Sequence, residues 1–248
     1  MSLTEETRLH TRIMRCDLAI DACTAYWSRH TPETPLSAVQ AYQDMVFGAK
    51  SMARVKRLLE NLRARFDAYP HCLSTLHDWH PMRLEDRSCI AHVHLQLSDP
   101  LYRAFTGDWL VAQREEGRSF TRDAVVRWVG DLEPGRWQHA SQVQLASKLL
   151  SAARAAGLAK GRIDPRQTDL PPVSDAALTY VLYLLRPIDF DGSLIANPYL
   201  GSLGLVGDDL HARLRGLDSL DFARQGDATE FAWAHPDLAS WSRARTAA

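Results

Sequence analysis

The 248-residue sequence predicts a mainly α-helical protein: a helical N-terminal bundle followed by a winged-helix-like part with a short β-hairpin. Three observations carry this expectation. Val55, Leu58, Leu59, Leu62 and Phe66 recur at helical spacing and make one apolar stripe. Between Arg122 and Ala156 a shorter and a longer helical stretch are separated by Pro134-Gly135 and closed by Gly157. Leu158 to Val173 then breaks into two short extended pieces around Gly161 and Asp164-Pro165. Helix, turn, longer helix and hairpin is the order of a winged helix-turn-helix. The expected organisation is a helical domain over 1–118, the winged-helix-like domain over 119–187, and a C-terminal extension over 188–248 packed on the preceding domain.

Taken in order, the first helix is expected from Thr4, a good N-cap followed by Glu5 and Glu6, to about Trp27. Thr31-Pro32-Glu33-Thr34-Pro35 stops it. A second helix should cover Leu36 to about Phe47, with a break at Gly48, and a third should run from about Lys50 to Tyr69, ended by Pro70. His92 to Leu97 alternates like a strand. The spacing of Ile90, Val93, His94 and Leu97, continued by Tyr102, Phe105, Trp109 and Ala112, favours helix restarted at Asp99-Pro100. Helices are expected over Arg122–Leu132 and Gln138–Ala156, and Ser174 caps a last apolar helix ending near Pro187.

Composition is that of a folded protein, with 46% hydrophobic and 24% charged residues. No apolar run has the roughly 18–20 uncharged residues of a transmembrane helix. Four irregularly spaced cysteines and no secretory signal point to a reducing cytoplasm, with Cys16 and Cys23 as buried thiols on one helical face. Net charge is only −1, so any binding to a polyanion must come from local patches. Two such patches exist. Lys50 to Arg65 holds six Lys/Arg and one acid, Glu60; Gly135 to Gln167 holds six Lys/Arg and one acid, Asp164.

In the first patch Lys50, Arg54, Arg57, Asn61 and Arg65 form a stripe about 110° from the apolar one, with Lys56 and Arg63 on its other side. In the second, Gln144, Ser147, Lys148 and Ser151, with Arg154 at the edge, lie opposite Leu145, Ala146, Leu149, Leu150 and Ala153. Small polar and basic side chains suit a helix entering a DNA major groove. Lys160, Arg162 and Arg166 in the hairpin could meet neighbouring phosphates. A solvated face or a protein-binding module accounts for the same residues.

Catalytic patterns are weak. Cys72, His77, His80, Cys89 and His92 lack the close Cys pair that zinc sites favour, and several fall in expected helix. His77-Asp78 has no matching upstream His or downstream Asp. Gly48-Ala49-Lys50-Ser51 lacks the order of a phosphate loop, and Gly201, Gly204 and Gly207 do not make a dinucleotide motif. No cofactor and no metal are expected, and no enzyme.

Several segments resemble the BrxA family of BREX phage-defence systems. They are Ala53-Arg54-Val55-Lys56-Arg57 leading into Leu58-Leu59-Glu60-Asn61-Leu62, and Leu101-Tyr102-Arg103-Ala104-Phe105. Lys148-Leu149-Leu150, Ala156-Gly157-Leu158 and Asn197-Pro198-Tyr199-Leu200-Gly201-Ser202-Leu203 complete the set. The resemblance implies a small helical, DNA-binding accessory protein encoded beside a phage-defence methyltransferase and its partners, with no known catalytic residue; double-stranded DNA and other BREX proteins are the expected partners. The family has also been described as an inner-membrane protein, which the absence of a long apolar run opposes.

Overall fold

A computed structural model describes residues 3–226 and 228–247. The chain is mainly α, and its strands form short pairs. The largest departure from expectation lies at the start. Of the helix expected from Thr4, only Ile20–Trp27 (α1) forms. Leu3–Thr4 (β1) instead pairs in parallel with Ile188–Asp189, the fourth strand in chain order (β4). Glu6 N–H donates to Leu97 O at 2.9 Å, and Arg103 Nη2 donates to Glu6 O at 2.9 Å. The Glu6 carbonyl that a helix would need for its first turn is thus taken by Arg103, while the Glu6 N–H is anchored on Leu97. Cys16 therefore lies outside any helix, although Cys16, Cys23, Cys72 and Cys89 are all free and buried.

Ala38–Gln43 (α2) is shorter than the Leu36–Phe47 expectation, and the Ser37 hydroxyl caps it by accepting from Gln40 N–H at 3.1 Å. Met52–Phe66 (α3) buries its whole predicted apolar stripe. Pro70 opens a 3-10 turn into Leu73–Asp78 (α4).

The ambiguous middle is helical, as Leu84–Ser98 (α5) and Pro100–Ala104 (α6), with Asp99 capping the restart by accepting from Tyr102 N–H at 3.0 Å. The strand-like alternation of His92, His94 and Gln96 has a different cause: these side chains are paired inside the core. His94 Nε2 lies 2.8 Å from the Tyr180 hydroxyl, and Gln96 Nε2 donates to Thr106 Oγ1 at 2.9 Å. Ser202 gives its own proton to Tyr199 O, so it accepts from His92 Nε2–H at 2.9 Å. His92 Nδ1 is then left to accept from the Tyr102 hydroxyl, also at 2.9 Å.

A π turn over Phe105–Trp109 joins α6 to Leu110–Glu115 (α7). Gly107 lets this turn touch a later helix, Pro198–Ser202 (α11); an added Cβ would sit 2.5 Å from Pro198 Cβ. Gly107→Ala is expected to lower unfolding free energy by about 1–3 kcal/mol through overpacking. Urea denaturation reads this directly, and an unshifted midpoint would mean that α11 gives way freely.

Arg122–Leu132 (α8), His139–Ala155 (α9), Ala159–Lys160 (β2), Gln167–Thr168 (β3) and Asp175–Leu185 (α10) follow where the sequence places them. Thr121 and Ser174 cap α8 and α10 through their hydroxyls. Gly207–Arg215 (α12), a hairpin of Leu220–Gln225 (β5) and Ala228–Trp233 (β6), and Leu238–Ala247 (α13) complete the chain. Helix α13 packs on α4 and α10, while α11 packs on α6, the π turn and α7. One hydrophobic cluster runs through the molecule from Ile13 to Trp241.

Candidate nucleic-acid interface

The winged arrangement is built around Phe120. Strands β2 and β3 pair antiparallel, with Ala159 opposite Thr168. Phe120 then bridges to Arg166, exchanging hydrogen bonds of 2.9 and 2.8 Å, and so adds a third extended segment. Trp109 ahead of α7 meets both Phe120 and Trp128 of α8, at ring distances of 5.4 and 6.1 Å. The resulting order is helix, short strand, helix, helix and two-stranded wing.

Helix α9 occupies the position of the second helix in a helix-turn-helix. Leu149, Leu150, Ala146 and Ala153 face its own core, and Leu145 and Ala152 are buried as well. Residues 9–17 lie along one flank. Arg136 Nη2 donates to Leu9 O at 2.8 Å near the start of α9, the 3-10 turn Arg12–Met14 packs on the helix, and Lys148 Nζ reaches Asp17 Oδ2 at 3.3 Å. An arc of roughly a third of the circumference stays open, estimated from 100° per residue. It carries Ala140, Gln144 and Arg154 exposed, with Ser147 and Ser151 half-buried. The strip read from sequence is therefore present, except that the Lys148 charge is engaged by Asp17.

The first basic stripe needs a correction. Lys50, Arg54 and Arg57 are exposed, but Arg65 is only 2% exposed and Asn61 8%. Arg65 Nη1 donates to Leu18 O at 3.0 Å, and Nη2 donates to Asp17 O at 2.9 Å. Burial pushes the neighbouring Cys23 thiol up to about 12, so Arg65 is held by carbonyl dipoles beside a neutral sulfur. Asn61 donates to Arg57 O at 2.7 Å. Both residues leave the candidate surface: loop 15–19 takes the Arg65 guanidinium, and Asn61 turns its amide back onto its own helix beside residues 10–16. The open face of α3 instead presents Lys56, Arg57, Glu60 and Arg63.

The two basic segments meet at that same loop. Arg54 Nη1 donates to Arg15 O at 3.0 Å, two residues from the Asp17 carboxylate that holds Lys148. A groove of about 620 Å³ runs between Arg54 and Ala155, past Asp17 and Asp21. A second groove of about 380 Å³ reaches Arg154 and shares Ile20, Leu84 and Ala155 with the first. Its shared wall is apolar, and Leu84 is 67% exposed.

On the wing, Lys160 Nζ pairs with Asp169 at 2.8 Å and Arg166 Nε with Asp164 at 2.9 Å. Among the described residues, exposed Lys50, Lys56, Arg57, Arg154 and Arg162 carry no ion pair; nor do Arg122 and Arg127 on α8. Sequence alone does not single out Arg122 and Arg127, which lie outside both charge-rich stretches, beside Asp123 and Asp131.

The residues with chemical potential are dispersed. His77 Nδ1 lies 3.0 Å from Trp27 O, His92 is enclosed by Tyr102 and Ser202, and Cys72 and Cys89 are buried. Among the described residues no three His, Cys, Asp or Glu side chains are grouped to hold a metal, and no helix is long and apolar enough to cross a membrane. The chain matches no family model, no curated protein and no solved structure.

Proposed function

We propose that this chain is a non-enzymatic, double-stranded DNA-binding accessory protein of a BREX-type phage-defence system, acting in the cytoplasm beside other BREX proteins. The observation that carries the DNA reading is the open strip of α9 beside a braced wing. Gln144, Ser147 and Ser151 are short or flexible enough to approach base edges. Arg154, Arg162, Arg122 and Arg57 are unpaired cations available to phosphates. The BREX assignment rests on the sequence resemblance alone.

Four phosphate contacts give an expected slope of about −3.6 in log affinity against log salt. Arg154→Gln/Arg162→Gln should flatten it by about 2 and weaken binding at every sequence alike. Fluorescence anisotropy on a mixed-sequence duplex between low and moderate salt makes the measurement. No binding at low salt would sink the DNA reading. It would favour a protein-interaction scaffold, for which the apolar grooves flanking Leu84 are the supporting observation.

A further inference from the structure

We propose that Ile163 is a wedge: it enters the minor groove next to the site of α9 and partly unstacks one base step. The proposal rests on the DNA-binding reading. Ile163 stands at the apex of the wing between Arg162 and Asp164, and 84% of it is exposed. A lone exposed apolar side chain on a protein surface is ordinary. This one is presented by a turn that is fixed on both sides.

Asp164 supplies the fixing. Its Oδ2 accepts from Arg122 N–H, the first residue of α8, and its Oδ1 accepts from Arg166 Nε, each at 2.9 Å. Arg166 Nη2 also donates to Arg162 O at 3.3 Å. Gly161, at φ +93°, opens the turn in the left-handed region, which keeps the apex narrow. The carboxylate of Asp164 is therefore consumed internally, while the Arg162 guanidinium has no acidic partner among the described residues. The tip that faces outward is thus an apolar side chain beside a free cation. That pair suits a minor groove, where arginine is drawn by the negative potential and an apolar residue can part a base step. A parted base step would cover the isoleucine with apolar ring faces.

Wedging untwists DNA without needing a known recognition sequence. Plasmid relaxed by a topoisomerase in the presence of the protein should show a shifted topoisomer distribution. Ile163→Ser should abolish that shift and weaken duplex binding about tenfold, while leaving the salt slope unchanged because no phosphate contact is lost. Ile163→Leu should restore both. A wild-type protein that binds duplex yet leaves the topoisomers unshifted overturns the wedge alone, as does an Ile163→Ser variant equal to wild type. Absence of any duplex binding removes the DNA reading, and the wedge falls with it.

Discussion

Arg65→Ala is expected to cost about 3–5 kcal/mol of unfolding free energy, whereas Arg57→Ala should stay within about 0.5 kcal/mol. The two arginines lie on one helix, eight residues apart. The Arg65 guanidinium satisfies the carbonyls of Asp17 and Leu18 in a place closed to water, so truncation strands the Asp17 carbonyl, leaves the Leu18 carbonyl to the weak Cys23 thiol donor and opens a cavity. Arg57 is exposed and meets no acid among the described residues. Duplex binding should divide them the other way: Arg57→Ala lowers affinity with an unaltered denaturation curve. Equal stability losses in the two variants would mean that loop 15–19 is not anchored by Arg65.

The second large effect is acid sensitivity. Burial pushes His92 and His94 down to about 3, so both are neutral in the folded protein, while in the unfolded chain they titrate near 6.5. Between these values the unfolded state binds more protons than the folded state, so stability declines as pH falls through that window. Each histidine contributes up to about 1.4 kcal/mol per pH unit, or about 5 kcal/mol for the pair between pH 6.5 and 4.5. Burial lowers His30 and His71 as well, in the same direction. Asp99 opposes them: burial raises its carboxyl, so protonation on acidification favours the folded form. Denaturant titrations from pH 7 to pH 4.5 should show the decline, and His94→Gln should make it shallower. A profile that His94→Gln leaves unchanged would mean that this ring takes up a proton in the fold as readily as in the unfolded chain.

The legible part of the fold was the part governed by neighbours in sequence. Ser174 before an apolar run, Pro134-Gly135 between two helices and Gly161 in a hairpin each act over a few residues, and α8, α9, the wing and α10 fall where those signals put them. Leu3 to Cys16 departs from its local signals because its partners are remote. Thr4 is a sound cap on local grounds, but β1 finds β4 across the whole chain. The candidate surface divides in the same manner. Gln144 and Arg154 could be placed from the period of α9 alone. Arg65 could not, because helical spacing assigns a residue to a face without saying what covers that face. Alternating polarity in α5 was equivocal for a related reason: a histidine paired with a buried tyrosine or serine reads like one turned toward solvent.

The β1–β4 pairing sets a schedule for synthesis. Leu3 and Thr4 emerge from the ribosome long before Ile188 and Asp189 exist, so the opening segment stays without its strand partner through most of translation. Contacts of such wide separation close late and slow the approach to the native state. Residues 9–17, further along, flank α9 through the Leu9 carbonyl and the Asp17 carboxylate, whose partners Arg136 and Lys148 are made earlier than β4. A nascent chain can complete α8, α9 and the wing early. Its α9 flank can close at the same stage, and only the β1 strand itself waits for residue 188.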